Sequence, residues 1–441
     1  MNTLDPVLQS IASQVLELAL NQGATAAETE VSEGTGQTVS VRQGEIETLE
    51  HNRDRDIGVT VFVGQRRGNA STSDTAPASL RQAVEKALNI ARFTAEDDCA
   101  GLADPALLAR EFPDLDLFHP WDLTPDAAVA MAQACEAAAL AVDARIRNSE
   151  GASVSTQTSR FVYANSNGFV GGYPGSRQSV SCTVIAEQDG AMQRDYWYST
   201  ARAAEDLEAV EAVGRRAGER SLRRLGARRI ATTRCPVLFD APLAAGLIGS
   251  FVAAVSGGSL YRKSSFLLDS LGSQVFPAFM QIEERPFIPR GLASGAFDQE
   301  GVATRERSVV RDGRVEGYFL SSYSARKLGM QSTGNAGGSH NLIVPSTGED
   351  FAGLLRRMGT GLWVTELLGH GSNLVTGDYS RGAAGFWVEG GEVKHPVEEI
   401  TIAGNLRDMF AGIVAVGSDV ETRGSRRVGS ILVSEMTVAG D

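Results

Sequence analysis

A chain of 441 residues exceeds what one ordinary hydrophobic core holds, so two or three domains are expected. Its 42% hydrophobic and 22% charged residues are the balance of a globular protein, and no run of eighteen apolar residues offers a membrane span. The formal net charge of −13 argues against a general nucleic-acid binder, whose affinity rests on neutralising phosphates.

The start, Met1-Asn2-Thr3-Leu4-Asp5-Pro6, is neither basic nor apolar, so no secretory signal is expected. Asp5 can cap a first helix, Pro6 suits its first turn, Gly23 can end it, and Val7, Ile11, Val15 and Leu18 make one apolar face. The period then changes to two: Val39 and Val41 briefly, then Ile57, Val59, Val61 and Val63, with turn points at Gly44 and Gly64. Helical spacing returns after Pro77 with Leu80, Val84, Leu88 and Ala91. The same order recurs. Thr124-Pro125-Asp126 opens an alanine-rich helix to about Val142, and hairpin signals stand at Asn167-Gly168 and Asp189-Gly190 around the alternating Val180, Cys182 and Val184. A helix carrying Leu207, Val210, Val213 and Ala217 closes this second round. The arginines from Arg215 to Arg234 that follow read as a solvated helix face running into a linker, with an RNA-contacting patch as the alternative.

From Val237 the sequence turns glycine-rich and β-dominated. Gly257-Gly258, Gly337-Gly338 and Gly390-Gly391 mark turns, Asp312-Gly313 marks a hairpin, and helices are expected after Asp240 and after Thr347. The fold class is therefore α+β. Residues 1–228 form an N-terminal domain of helices on antiparallel sheet, readable as two helix–meander–helix units at 1–100 and 115–228, and residues 229–441 form a mainly-β, barrel-like C-terminal domain.

The chemistry-bearing residues are sparse. His51, His119, His340, His370 and His395 lie far apart and none is followed by glutamate, so no helical zinc-protease pattern occurs. No G-x-S-x-G elbow and no completed phosphate-binding glycine loop is present. Cys99, Cys135, Cys182 and Cys235 form no C-x-x-C pair, which fits a reducing compartment and buried structural thiols. What remains is the polar glycine loop Gly334-Asn335-Ala336-Gly337-Gly338-Ser339-His340-Asn341, the turn Glu366-Leu367-Leu368-Gly369-His370-Gly371, and the small-residue run before Phe386-Trp387. Asn335, Ser339, His340, Gly369 and His370 are the candidates for lining a peptide groove.

Two long segments, Thr376 to Glu389 and Pro396 to Leu406, with Phe297-Asp298-Gln299-Glu300-Gly301 and Val364-Thr365-Glu366-Leu367-Leu368-Gly369, resemble the PmbA (TldE) branch of the TldD/PmbA family along essentially the whole chain. The resemblance implies a cytoplasmic protein that pairs with a TldD-type subunit to enclose a chamber where unfolded peptides are cleaved. It implies a zinc site in that partner, built on an H-E-x-x-x-H helix and a later cysteine. The corresponding positions in this chain are Gly249, Ser250 and Ala254 on the helix after Asp240, and Val428; none can ligate zinc or act as general base, Ser250 being at best a weak polar group. The expectation is thus a chain that binds no metal itself, closes the chamber and holds substrate, with zinc in the partner subunit. No nucleic acid or membrane partner is expected, and a homodimer is open to the chain when alone. The alternatives are a homo-oligomeric peptidase with its own cryptic metal site and a purely structural assembly partner.

Overall fold

The computed structural model describes residues 4–440. Its N-terminal part contains α1 (Pro6–Asn21), β1 (Ala26–Arg42), β2 (Glu45–Val63), β3 (Arg66–Thr72), α2 (Pro77–Phe93), α3 (Pro125–Leu140), β4 (Ile146–Asn165), β5 (Val170–Gly171), β6 (Pro174–Gln188), β7 (Ala191–Ala201) and α4 (Val210–Arg223). The Asp5 carboxylate accepts from the amides of Val7 and Leu8 at 3.0 and 3.2 Å, which satisfies two donors the first helical turn leaves open.

The strands form one antiparallel sheet in the order β3-β2-β1-β4-β6-β7, with β5 on β4. The two helix–meander–helix units share it, because β1 pairs with β4 from Glu28↔Asn165 to Val41↔Ala152. Side chains alternate across a strand. Ala27, Val31, Val39 and Val41 of β1 and Ala152, Val154, Val162 and Ala164 of β4 are all buried, and each set keeps one parity, so all four helices lie on the same face. Helices α1 and α2 cover one end of the long strands and α3 and α4 the other. The opposite face is free of helices and meets the C-terminal part.

That part contains β8 (Thr233–Phe239), α5 (Ala241–Ala254), α6 (Gly257–Tyr261), β9 (Ile282–Glu284), β10 (Arg307–Arg311), β11 (Arg314–Val315), α7 (Ser322–Lys327), β12 (Leu342–Ile343), α8 (Phe351–Met358), β13 (Gly361–Leu368), β14 (Asp378–Glu389), β15 (Glu392–Asn405), α9 (Leu406–Ala411), β16 (Ile413–Val416), β17 (Arg426–Arg427) and β18 (Ile431–Ala439). Strands β15-β14-β13-β8-β18 close on themselves through β15–β18 pairing into a five-stranded barrel, and β11-β10-β9-β12-β17 form a second sheet. On β14, a Cβ on Gly385 would stand 2.0 Å from the Trp363 carbonyl of β13, so only glycine fits there. The α+β class and the barrel-like C-terminal domain read from the sequence are what the chain adopts.

Several local expectations change. Leu207 precedes α4, following a short 3-10 turn at Ala204–Asp206, because Val210 opens the longer helix. Gly257-Gly258 is not a turn but the start of α6, where a side chain on Gly257 would strike Ser324. The helix expected after Thr347 is present as α8, where the Asp350 carboxylate accepts the Gly353 amide at 2.7 Å. Asp189-Gly190 and Asp312-Gly313 do form left-handed hairpin turns, with φ of 52° and 82° and of 49° and 75°.

Candidate functional site

The helix-free face of β1 and β4 carries Glu28, Glu30, Ser32, Ser159, Phe161 and Tyr163, the residues out of phase with the buried valines and alanines. Opposite them lie the C-terminal segments around Ser294–Gln299 and Ala336–His340. Between the two is a cleft of about 490 Å³. It shares Leu117 and Tyr173 with an apolar cavity of about 650 Å³ under Phe112–Phe118, and Glu30, Tyr163 and Gln299 with a polar one of about 470 Å³ beside β2 and β3. The three run together as one groove.

Phe297 is the hub on the C-terminal side. Its ring packs edge-on against Phe169 at 5.2 Å, Tyr173 at 5.6 Å and Phe112 at 5.6 Å, joining the C-terminal loop to the N-terminal sheet. The next residue pins the loop opposite. One Asp298 carboxylate oxygen accepts the amides of Glu300 and Val302, the other that of Ala336, all at 2.9 Å. Burial outweighs these amides and pushes the carboxyl up to about 7.

On the sheet side, burial raises Glu28, whose carboxylate accepts the Tyr163 hydroxyl at 2.8 Å. Glu30 is raised by burial and then by the nearby Asp56. Arg202 donates to the carbonyls of Ser176 at 3.1 Å and Leu292 at 2.9 Å, while its buried Nε has no partner. Burial lowers its pKa, and the groove thus has a cation at one wall and carboxylates at another.

The sequence-derived candidates separate. Ser339 and His340 line the cleft, and both His340 ring nitrogens face carbonyls, Ala293 at 3.2 Å and Gly334 at 3.0 Å. Asn335 is 5% exposed and faces inward, bonded to Glu284, Gly338, Arg307 and Thr333; it shapes the loop from behind. Gly369 and His370 lie away from the cleft, at the exposed end of the β13–β14 hairpin, where Gly369 takes φ +70°. Glu28, Glu30, Tyr163, Tyr173 and Arg202 were not anticipated. The signal for the first two is the alternation Ala27-Glu28-Thr29-Glu30-Val31, in which glutamates occupy the face that the helices leave open.

The residues at the four positions that the resemblance matches to a zinc site do not suit one. Gly249 and Ala254 bring no donor, Ala254 and Val428 are fully buried, and the Ser250 hydroxyl donates to the Gly246 carbonyl at 3.4 Å. A Cβ on Gly249 would lie 3.0 Å from the guanidinium of Arg426, whose buried Nε has no hydrogen-bond partner. A cation already stands where a metal's ligand would begin. Among the described residues no group of three His, Cys, Asp or Glu is placed to hold a metal ion.

A closed five-stranded barrel carrying a helix-covered sheet, with a groove between them, defines a class, and comparison with known proteins says which. Models of the PmbA/TldA metallopeptidase family match residues 27–91 as its domain 1, residues 118–225 as its central domain and residues 232–440 as its C-terminal domain. The chain belongs to this family, on its PmbA (TldE) branch. It is 50% identical over 434 residues to the metalloprotease PmbA of Escherichia coli O157:H7, covering 98% of this chain and 96% of that one, and 48% identical to the PmbA homolog of Haemophilus influenzae, with the same coverage. Identity to the TldD homolog of Haemophilus influenzae is 22%, over 83% of this chain and 80% of that one. A solved Bacteroides thetaiotaomicron structure superposes with a TM-score of 0.94 over the whole of both chains at 27% identity. TldE from Thermococcus kodakarensis shares the fold with a TM-score of 0.84 at 19% identity, over 98% of this chain and all of that one.

Proposed function

We propose that this chain is the non-catalytic, PmbA/TldE-type subunit of a two-subunit cytoplasmic metallopeptidase, and that its groove holds an unfolded peptide while a TldD-type partner supplies zinc and general base. The observation that carries this reading is the zinc position itself: glycine, serine, alanine and valine stand where ligands would be required, and Arg426 lies against Gly249. The groove suits an extended, sequence-tolerant guest. Aromatic rings at Phe112, Phe161 and Tyr173 offer apolar contact, and the Gly337-Gly338 loop allows close backbone approach. A folded domain would not enter so narrow a cleft.

Two arms test it. The chain is purified alone and with a TldD-type subunit from the same source, and zinc content and hydrolysis of an unfolded casein-like substrate are measured for each. Metal and cleavage with the pair, and neither with this chain alone, are expected. Tight stoichiometric zinc together with cleavage by this chain alone overturns the reading.

A further inference from the structure

The two edges of the N-terminal sheet are treated differently. At β7 two of the outward carbonyls are capped by arginines: Arg224 donates to Arg194 O at 3.0 Å and Arg423 to Tyr198 O at 2.9 Å. At the other edge β3 pairs with β2 only along Ile57–Val63. Residues 45–56 of β2 therefore have β1 on one side and, among the described residues, no strand on the other. Nearly every side chain in this stretch is exposed on both faces, Ile46 by 54% and Leu49 by 52%. An edge of this length with its backbone groups unpaired is a template for another strand.

The register says which groups are offered. Val63 and Arg66 close a two-residue turn, so Val63 makes a narrow ladder pair with β3, and such pairs recur at every second residue back to Ile57. No bulge interrupts β2 between Ile57 and Leu49, so Arg55, Arg53, His51 and Leu49 direct their amides and carbonyls to the open side. The charge pattern says what would fit. Glu50, Asp54 and Asp56 project from the helix-free face; His51, Arg53 and Arg55 project from the helix-covered one. An antiparallel pairing of two copies about a two-fold axis would keep acid with acid and base with base. A different strand, with basic residues on one face and acidic residues on the other, meets opposite charge on both.

We infer that the open edge of β2 at residues 45–56 is the docking strand for the second subunit, which adds an alternately charged strand to the sheet by backbone hydrogen bonding. The inference rests on the two-subunit reading above. A groove and an open edge make different demands: the groove binds a guest transiently, whereas the edge offers a continuous ladder to a permanent neighbour.

The test uses the full chain and a TldD-type subunit from the same source. Hydrogen exchange of the amides of Leu49, His51, Arg53 and Arg55 is followed with and without the partner, and slowing of at least tenfold in the complex is expected. His51→Pro and Arg53→Pro each remove an outward amide while leaving the ladder to β1 intact. Each should weaken assembly at least tenfold in sedimentation experiments, with the melting temperature of the isolated chain unchanged. Should either variant fold poorly, the exchange result on the unaltered chain decides alone. A complex that forms with these amides unprotected overturns the docking strand and leaves the two-subunit reading standing. If no complex forms at all, both fall.

Discussion

The guanidinium of Arg423, from the C-terminal domain, lies 3.6 Å from the ring centre of Trp197, on the edge strand of the N-terminal sheet. Arg216 stands 3.8 Å from the same centre, and two guanidinium groups that close cannot share one face, so the indole is sandwiched. Arg423 is also held by Glu421 and donates to the Tyr198 carbonyl at 2.9 Å. The contact joins the two domains. Replacing Trp197, which is 7% exposed, by Ala is expected to cost about 3–5 kcal/mol of stability in chemical denaturation. A double-mutant cycle of Trp197→Phe with Arg423→Lys should give a coupling of about 1–2 kcal/mol; additive effects would show that the stacking is incidental.

Asp298 makes stability depend on pH in an unusual direction. Its carboxyl is pushed up to about 7 in the folded chain, well above the ordinary aspartate range near 4, so the folded state binds the proton more tightly. Between about pH 4 and 7 the folded form carries more protons than the unfolded one, and this group's contribution must fall as pH rises and level off above 7. The total is on the order of a few kcal/mol. Denaturation midpoints measured across that window should fall less steeply in Asp298→Asn than in the unaltered chain. The variant should also loosen residues 334–340, because an amide cannot accept all three backbone donors.

Phe297 ties the groove's two walls together. Truncating this 4% exposed ring in Phe297→Ala should cost about 3–5 kcal/mol, and reduce peptide cleavage by the assembled pair even where the variant remains folded. Unchanged cleavage with a folded variant would separate the aromatic hub from substrate holding.

Placing metal-ligating side chains at the four positions named by the resemblance should not by itself create a zinc site. In the combination Gly249→His, Ser250→Glu, Ala254→His and Val428→Cys, the new imidazole at 249 meets the Arg426 guanidinium. Metal analysis is expected to find no tight zinc until Arg426→Ala is added. Stoichiometric zinc with Arg426 in place would mean that the guanidinium moves aside at little cost.

Gly385→Ala addresses the barrel. Its Cβ would stand 2.0 Å from a backbone carbonyl, which no rotamer change relieves, so a loss of more than about 2 kcal/mol is expected in denaturation experiments.

Local order along the chain was set by sequence alone. Asp5 and Pro6 start α1, Asp189-Gly190 turns β6 into β7, and the valines of β2 at Ile57–Val61 declare their period, because each depends on neighbours a few residues away. That Gly249, Ala254 and Val428 carry no metal-ligating side chain was equally legible, since a residue type without a donor is without one in any fold. The groove was not. Glu28 and Glu30 look like ordinary solvent-facing residues of an amphipathic strand until β4 brings Tyr163 to Glu28 and the C-terminal loop brings Asp298 to the cleft that Glu30 lines. Asn335 and His340 are five residues apart in one polar loop, yet one turns inward to Glu284 and the other toward the cleft. Only tertiary structure decides such things, because pairing between β1 and β4 and between distant loops is set by the collective burial of faces, and no single segment encodes which neighbour will cover it.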